Sequence, residues 1–181
     1  MKKSQVEHVL RAAGRIVGDD QFIIIGSQAM HAKYPDLLNG VEVSAELDII
    51  AKNKPARTEL LNAIGVDSPF HETFGYYADP VDEHTANLPK GWKGRLVNLK
   101  VENTEGVAGL CLDPHDLLLS KYFARREKDI VFNAEVVNAG LVDQARLLEL
   151  LQLMPVADEV KARMRRYIEA DFRKVRGKAD T

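Results

Sequence analysis

The chain has 181 residues, a formal net charge of −2 and 45% hydrophobic residues, an ordinary globular composition for one domain or for a core domain with a small helical appendage. No stretch approaches the roughly 18 consecutive apolar residues that a membrane helix requires, and the first residues lack the apolar segment of a signal peptide. The single cysteine, Cys111, excludes an intramolecular disulfide framework and suits a reducing compartment, so we expect a cytoplasmic protein with no membrane partner.

The first half of the chain alternates between helical and strand patterns. The apolar run 22–25, which stops at Gly26, is typical of a strand buried on both faces, and Ser27 after it has the residue type of a helix cap. In chain order, the patterns predict a helix over 4–17, a strand over 22–25, a helix over 28–34, a strand over 41–50, a helix over 56–64, a strand over 74–78 and a polar loop over 79–94.

The second half becomes entirely helical. Strands are predicted over 95–101 and 106–112, and helices over 114–126, 127–138, 143–153 and 156–175. This order predicts an α+β class, with an α/β core over 1–112 followed by a C-terminal helical segment over 113–181. Residues 160–181 hold eight Lys or Arg and three acids, a charge of +5, so the remainder of the chain carries −7. A basic C-terminal helix favours anionic partners such as RNA, although a solvated helix has the same composition.

A first group of candidate site residues lies around the turn at Gly26-Ser27. A buried strand that ends in Gly-Ser before a helix leaves backbone N–H groups available to a phosphate. Glu46 and Asp48 lie two residues apart on a predicted strand, so their side chains share one face. Two carboxylates on one face suit Mg²⁺ (or Mn²⁺) bound together with substrate phosphates. The alternative is that the turn is a common strand-to-helix connection without a ligand and that the two acids are simply exposed to solvent.

A second group of candidate site residues comes after the predicted strands in the chain. On a helix, Lys121, Arg125 and Lys128 fall on one stripe, where three cations can bind nucleotide phosphates or an RNA backbone. The simpler interpretation is a solvated helix whose cations pair with Glu127 and Asp129.

These motifs, taken in order, resemble the nucleotidyltransferase superfamily, whose signature is an apolar strand, Gly-Gly or Gly-Ser, and a later acid-x-acid pair. The string Leu-Asp-Pro-His-Asp-Leu-Leu-Leu-Ser-Lys over 112–121, followed by Arg-Glu-Lys-Asp over 126–129, is similar to segments of DUF6036-type and AbiEii-like nucleotidyltransferases. The segments 68–77 and 88–92 also resemble the DUF6036 group. The resemblance covers roughly residues 20–145 and implies a mixed sheet flanked by helices.

The resemblance also implies roles for individual residues. Gly26 and Ser27 match the nucleotide-binding turn, and Glu46 and Asp48 match the metal-binding acids. A third carboxylate is expected on a later strand, for which Asp79 is the best placed by chain order. Glu72 and Asp82 are the alternatives. Lys121 and Arg126 are the expected phosphate contacts, and Asp129 is the expected polar or acid/base partner.

The function implied is a nucleotidyltransferase. It would transfer a nucleotidyl group from a nucleoside triphosphate to a hydroxyl of RNA, protein or a small molecule, with Mg²⁺ (or Mn²⁺) bound. A toxin–antitoxin setting, with a cognate antitoxin or repressor as partner, follows from the AbiEii-like segment alone. The alternative is a catalytically inactive member of the fold that acts as a nucleotide- or RNA-binding interaction module.

Overall fold

A computed structural model describes residues 1–34, 44–99 and 102–179. Its helices are α1 (Lys3–Val17), α2 (Pro69–Phe74), α3 (Pro114–Ala124), α4 (Glu127–Asn138), α5 (Gln144–Leu151) and α6 (Asp158–Ala179). Its strands are β1 (Gln21–Ile24), β2 (Glu46–Ala51), β3 (Tyr77–Pro80), β4 (Val97–Asn98) and β5 (Ala108–Cys111). Short 3-10 helices occupy Ser27–Ala32, Pro55–Ile64 and Trp92–Arg95. This mixture confirms the predicted α+β class.

The chain forms two compact units. The first unit comprises Met1–Thr85 with Arg95–Leu112, and the second comprises Ala86–Gly94 with Asp113–Thr181. The second unit therefore takes a short piece of the predicted 79–94 loop in addition to the helices that follow the sheet.

The first unit is built on a mixed sheet. The described strands have the order β3-β2-β1-β5-β4, with parallel pairing of β1 with β5 and of β2 with β3, and antiparallel pairing of β1 with β2 and of β4 with β5. β1 lies at the centre, and Phe22, Ile23 and Ile24 are buried, as the continuous apolar run predicts. Helix α1 buries the stripe Val6, Val9, Leu10, Ala13 and Val17 and ends at Gly18, whose φ of 69° is left-handed.

Several sequence predictions in this unit need correction. Ser27 does not cap an α-helix: Gly26 holds the cap position of a six-residue 3-10 helix and no side chain caps it. Such a short segment suits the tighter 3-10 geometry. Helix α2 was missed, and it displaces the third strand from the predicted 74–78 to Tyr77–Pro80. Residues 41–43 and 100–101 of two predicted strands lie outside the described residues.

The second unit is a group of four helices around leucine side chains. Asp113 caps α3 by accepting a hydrogen bond from the His115 backbone, and Asp143 caps α5 by accepting one from Arg146. The buried apolar residues include Leu117, Leu118, Leu119, Phe132, Val136, Leu147, Leu150, Leu151, Met164 and Ile168. Tyr122 is also buried, and its hydroxyl donates to Asp171 Oδ2 over 3.1 Å. Among the described helices of both units, none combines the length and the apolar character that a membrane crossing requires.

Candidate functional site

Three carboxylates share one face of the sheet in the first unit. In the parallel pairing of β2 with β3, Asp48 is the direct partner of Asp79, and Glu46 is the partner of Tyr77. Residues two apart on a strand point to the same face, and directly paired residues do as well. Leu47 is buried on the opposite face, while the three acids are half-buried. Asp79, expected to be the third carboxylate by chain order alone, thus lies beside the acid pair.

The Gly26 turn lies against this acid face. Ile25 N donates to Asp48 O over 3.2 Å, which extends the antiparallel pairing of β1 with β2 up to the turn. A Cβ atom added to Gly26 would lie 2.6 Å from Asp48 Cγ. Only glycine therefore lets the carboxylate sit so close to the backbone.

Two backbone donors of the turn are unused within the part of the chain that the structure describes. No acceptor among the described residues takes a hydrogen bond from the backbone N–H of Gly26 or Ser27. Gln28, which is fully buried, donates through Nε2 to Ser44 O over 2.8 Å. This bond joins the turn to the segment that enters β2, so the donors of the turn and the carboxylates of β2 are held together.

Tyr77 is a site residue that the sequence analysis missed. Its hydroxyl donates to Glu46 Oε2 over 3.2 Å. Burial raises the pKa of Tyr77, and the negative charges of Glu46, Asp79 and Asp48 together with the hydrogen bond to Glu46 raise it further. The signal was available, because Tyr77 lies two residues before Asp79 and so shares its face of β3.

The donor set suits a hard divalent cation. Carboxylate oxygens are the ligands that Mg²⁺ prefers, and it needs only one or two of them when a substrate supplies phosphate oxygens. Glu46, Asp48 and Asp79 supply carboxylates on one face. Nevertheless, within residues 1–34, 44–99 and 102–179 no group of three or more Asp, Glu, His or Cys side chains is already arranged to hold a metal ion. A cation bound here would therefore need ligands beyond the protein carboxylates, as substrate phosphates provide.

A second polar group lies within the helical unit, around Asp129. Its carboxylate is fully buried and accepts from Lys121 Nζ over 3.1 Å and from Arg126 Nε over 2.7 Å. It also accepts from the backbone N–H of Arg126, at the start of α4. Burial opposes the ionisation of Asp129, but the hydrogen bonds and charges of Arg126 and Lys121 outweigh it, so the pKa of Asp129 lies below its ordinary value.

The expected stripe of three cations in this segment is wrong. Helix α3 ends at Ala124, and Arg125 caps it with a left-handed φ of 54°, so that Lys128 falls on the next helix. The guanidinium of Arg125 instead lies over the ring of Tyr167, 3.5 Å from its centroid. Lys121 lies 4.6 Å from the ring centroid of Phe132 in addition to its bond with Asp129. The Lys121 side chain is 13% exposed, whereas that of Arg126 is 61% exposed.

The predicted site residues thus form two groups, one in each unit. Gly26, Ser27, Glu46, Asp48 and Asp79 come together in the first unit. Lys121, Arg126 and Asp129 come together in the second. Of the alternatives for the third acid, Glu72 lies exposed on α2, and Asp82 follows β3, where it accepts a hydrogen bond from His84 N. The roles assigned to all these residues stay predictions.

Comparison with known proteins identifies a family. The family described as "Nucleotidyltransferase of unknown function (DUF6036)" matches residues 5–176, a longer span than the motifs alone covered. No curated protein and no solved structure gives a significant match. The predicted resemblance to the DUF6036 group is confirmed, and the similarity to AbiEii-like toxins stays a prediction.

Proposed function

The chain belongs to the DUF6036 family of nucleotidyltransferases of unknown function, and on that premise we propose that its first unit transfers a nucleotidyl group from a nucleoside triphosphate to a hydroxyl acceptor. One observation carries the proposal: the β2–β3 register places Asp79 beside Asp48, on the face that Glu46 shares and against which the Gly26 turn packs. Three carboxylates and a phosphate-binding turn are the parts that this reaction needs.

In this proposal Glu46 and Asp48 hold Mg²⁺ (or Mn²⁺) together with the phosphate oxygens of the substrate. When bound, the cation neutralises negative charge on the phosphates and orients them. The backbone N–H groups of Gly26 and Ser27, with the Ser27 hydroxyl, bind the triphosphate. Tyr77 holds the Glu46 carboxylate in place through its hydroxyl. The bond from Gln28 to Ser44 joins the turn to the segment that enters β2. It therefore supports the placement of the phosphate-binding turn beside the metal-binding acids.

Asp79 has a different role in the proposal. Its carboxylate accepts the proton of the acceptor hydroxyl as that oxygen bonds to the α-phosphorus of the nucleotide. The bond between the α-phosphorus and the bridging oxygen to the β-phosphate breaks, and pyrophosphate leaves with the electron pair. Direct pairing of Asp79 with Asp48 keeps the base next to the metal-binding carboxylate, where the acceptor must approach.

The test combines binding and transfer. Purified protein is incubated with labelled nucleoside triphosphates, Mg²⁺ and total RNA, and Mg²⁺-dependent nucleotide binding is measured in parallel. We expect Asp48→Asn to abolish both, and Asp79→Asn to abolish transfer while nucleotide binding is retained. Glu72→Gln and Asp82→Asn are matched controls that remove one carboxylate each nearby, and both should keep activity. Loss of transfer in Asp82→Asn but not in Asp79→Asn would assign the base to Asp82.

A second candidate function is a non-catalytic nucleotide- or RNA-binding module. It is favoured by the absence, among the described residues, of a ready group of three metal-ligating side chains. No transfer, together with no Mg²⁺-dependent nucleotide binding by the wild-type protein, would overturn the enzyme proposal. Salt-sensitive RNA binding that survives Asp48→Asn would then favour this alternative. A toxin role is tested separately, because it requires that expression arrest growth and that Asp48→Asn relieve the arrest.

The predicted phosphate contacts of Lys121 and Arg126 form a separate part of the proposal. Arg126→Ala removes the exposed cation, and Lys121→Ala removes the one held by Asp129. If these side chains bind the substrate, both variants weaken nucleotide binding in protein that remains folded. Unchanged nucleotide binding in Arg126→Ala would leave the group around Asp129 with a structural role only.

A further inference from the structure

Four arginines on α6 are exposed and have no partner among the described residues. They are Arg163, Arg166, Arg173 and Arg176. Three other cations of the helix behave differently. Lys161, Arg165 and Lys174 form ion pairs with Asp158, Glu169 and Asp171 respectively. The helix thus neutralises one set of cations internally and leaves the other set to solvent.

The four arginines form one surface, here termed the arginine face. At about 100° per residue, Arg166, Arg173 and Arg176 lie about 60°, 80° and 140° around the helix from Arg163, all in the same direction. The four arginines therefore fall within an arc of about 140° on one side of α6. At 1.5 Å per residue, the face spans about 20 Å. The exposed apolar residues of α6 include Ala162 and no large side chain among those described.

That composition favours one kind of partner. A membrane-binding helix needs large apolar side chains opposite its cations, and a protein interface needs aromatic or aliphatic anchors. The arginine face offers neither. Guanidinium groups spaced along a rod fit a polyanion with regularly spaced phosphates, because each presents paired N–H donors to phosphate oxygens.

The groove beside the arginine face adds a second feature. A cavity of about 610 Å³ lies between α5 and α6, within the second unit, with Arg173 and Arg176 on its wall. Its remaining lining is Asp143, Gln144, Ala145, Leu148 and Glu169. The groove is wide open to solvent, and the half-buried Leu148 with the Gln144 amide gives it apolar and hydrogen-bonding walls. Such a groove suits a nucleotide whose phosphates contact the two arginines.

We propose that the arginine face and this groove bind RNA through its phosphodiester backbone, and that RNA is the hydroxyl acceptor left open above. The acceptor role rests on the proposed function, whereas the binding itself does not. RNA fits better than DNA because each of its nucleotides carries a 2′-hydroxyl, and the polar groups Gln144 and Asp143 in the groove can recognise it.

The test measures binding without catalysis. Fluorescence anisotropy follows a labelled single-stranded RNA, and DNA of the same sequence, with EDTA present and nucleoside triphosphate absent, over a range of salt concentrations. The variants are Arg163→Ala with Arg166→Ala, and Arg173→Ala with Arg176→Ala. Alanine is a better helix former than arginine, so α6 should remain folded, which circular dichroism checks. The matched control, Arg15→Ala with Arg57→Ala, removes the same charge from exposed positions in the first unit.

We expect wild-type protein to bind RNA more tightly than DNA. Each double variant should weaken RNA binding at least about tenfold and lower the salt dependence by about two released ions, whereas the control should change little. The variant with Arg173→Ala and Arg176→Ala should lose more RNA affinity than the other double variant, since those two residues also line the groove. Double variants within about twofold of wild type, a control that loses as much, or equal binding of DNA would overturn the proposal.

The same preparation separates this inference from the proposed function. Asp48→Asn should bind RNA as the wild type does. Transfer that depends on Asp48 but proceeds in the arginine variants as in wild type would leave the proposed function standing and overturn the acceptor role of RNA. Arginine-dependent RNA binding with neither transfer nor Mg²⁺-dependent nucleotide binding would uphold the binding surface and overturn the proposed function.

Discussion

The carboxylate of Asp48 packs directly against the Cα of Gly26, across the antiparallel pairing of β1 with β2. The backbone at Gly26 has φ −88°, which any residue can adopt, so the requirement for glycine is steric and not conformational. The turn that is proposed to bind phosphate and the acid that is proposed to bind metal are therefore in van der Waals contact, and a change at one must move the other.

Gly26→Ala tests this contact. The added Cβ would lie 2.6 Å from Asp48 Cγ, so the carboxylate or the turn must shift. We expect the free energy of unfolding to fall by about 1–3 kcal/mol, as for other overpacked positions, and Mg²⁺-dependent nucleotide binding to be lost. Urea unfolding and nucleotide titration measure the two effects.

Two further variants make that result specific. Gly94→Ala is the control, because a Cβ there has no described atom within 4 Å, and it should leave both measurements unchanged. Adding Asp48→Ala to Gly26→Ala should recover most of the lost stability, since the two nearest of the clashing atoms are removed and the Asp48 Cβ lies at 3.2 Å. Failure of the double variant to recover would show that the strain lies elsewhere.

Tyr77→Phe removes one hydroxyl from the acid face. Because the hydroxyl donates to Glu46 Oε2, its loss leaves that carboxylate less well oriented. We expect divalent-cation affinity in the presence of nucleotide to fall about tenfold, in keeping with the loss of an outer-shell hydrogen bond. Isothermal titration with Mn²⁺ gives the affinity. Tyr76→Phe removes a neighbouring hydroxyl that contacts His8 Nδ1, and it should leave cation affinity unchanged.

Asp129→Asn should destabilise the helical unit. The buried carboxylate offsets the charges of Lys121 and Arg126, so its neutralisation leaves Lys121, which is 13% exposed, without a counter-charge. We expect a loss of about 3 kcal/mol in the free energy of unfolding at neutral pH. Glu149→Gln breaks the exposed pair between Arg146 and Glu149 and should have no measurable effect. Equal stabilities of Asp129→Asn and wild type would show that the pair is energetically neutral.

The same carboxylate predicts a pH dependence. The pKa of Asp129 in the folded protein lies below its unfolded value of about 3.9. The stabilisation is therefore complete above that unfolded value and is lost as the pH falls through the folded pKa. Urea unfolding from pH 7 down to acid pH gives the free energy of unfolding of each protein. The difference in this free energy between wild type and Asp129→Asn should shrink only below about pH 4. A difference that disappears between pH 7 and pH 5 would implicate a histidine instead.

Cys111 offers a probe of sheet opening. The residue is fully buried in β5, paired with Ile24 of the central strand, and burial raises the pKa of its thiol to about 12. We expect almost no reaction with a disulfide reagent at pH 8 in the native protein and complete reaction in urea, because the thiolate is the reactive form. Stoichiometric labelling of the native protein within the mixing time would contradict the burial of β5.

The sequence was sufficient for features that depend on local pattern. The apolar run of β1, the alternation of Glu46 and Asp48 on β2 and the Asp113-Pro114 start of α3 all appear where the pattern predicts them. Helix α2 was missed although Ser68, Pro69 and Gly75 are its cap, first residue and left-handed end. A strand assignment over 74–78 competed with those signals, because the aromatic residues there also have high strand propensity.

Features that depend on long-range pairing could not be derived in the same way. The register that sets Asp79 beside Asp48 joins strands about 30 residues apart, and nothing local to either strand specifies it. The fit between Gly26 and Asp48 and the bond between Tyr77 and Glu46 are consequences of that pairing. Likewise, α3 ends at Ala124 and not at the predicted residue 126, because Arg125 takes a left-handed conformation, and Lys121 and Lys128 then lie on different helices and do not share a stripe.

The β2–β3 register also sets which length changes the family can tolerate during evolution. The exposed connections between these two strands can grow or shrink without altering the acid face, because the pairing of Asp48 with Asp79 fixes only the strands themselves. A single residue inserted between Tyr77 and Asp79 has the opposite effect, since it turns the aspartate to the side of the sheet that buries Leu47 and Ala78. Relatives that catalyse the proposed reaction should therefore vary in the length of these connections but not in the number of residues between Tyr77 and Asp79.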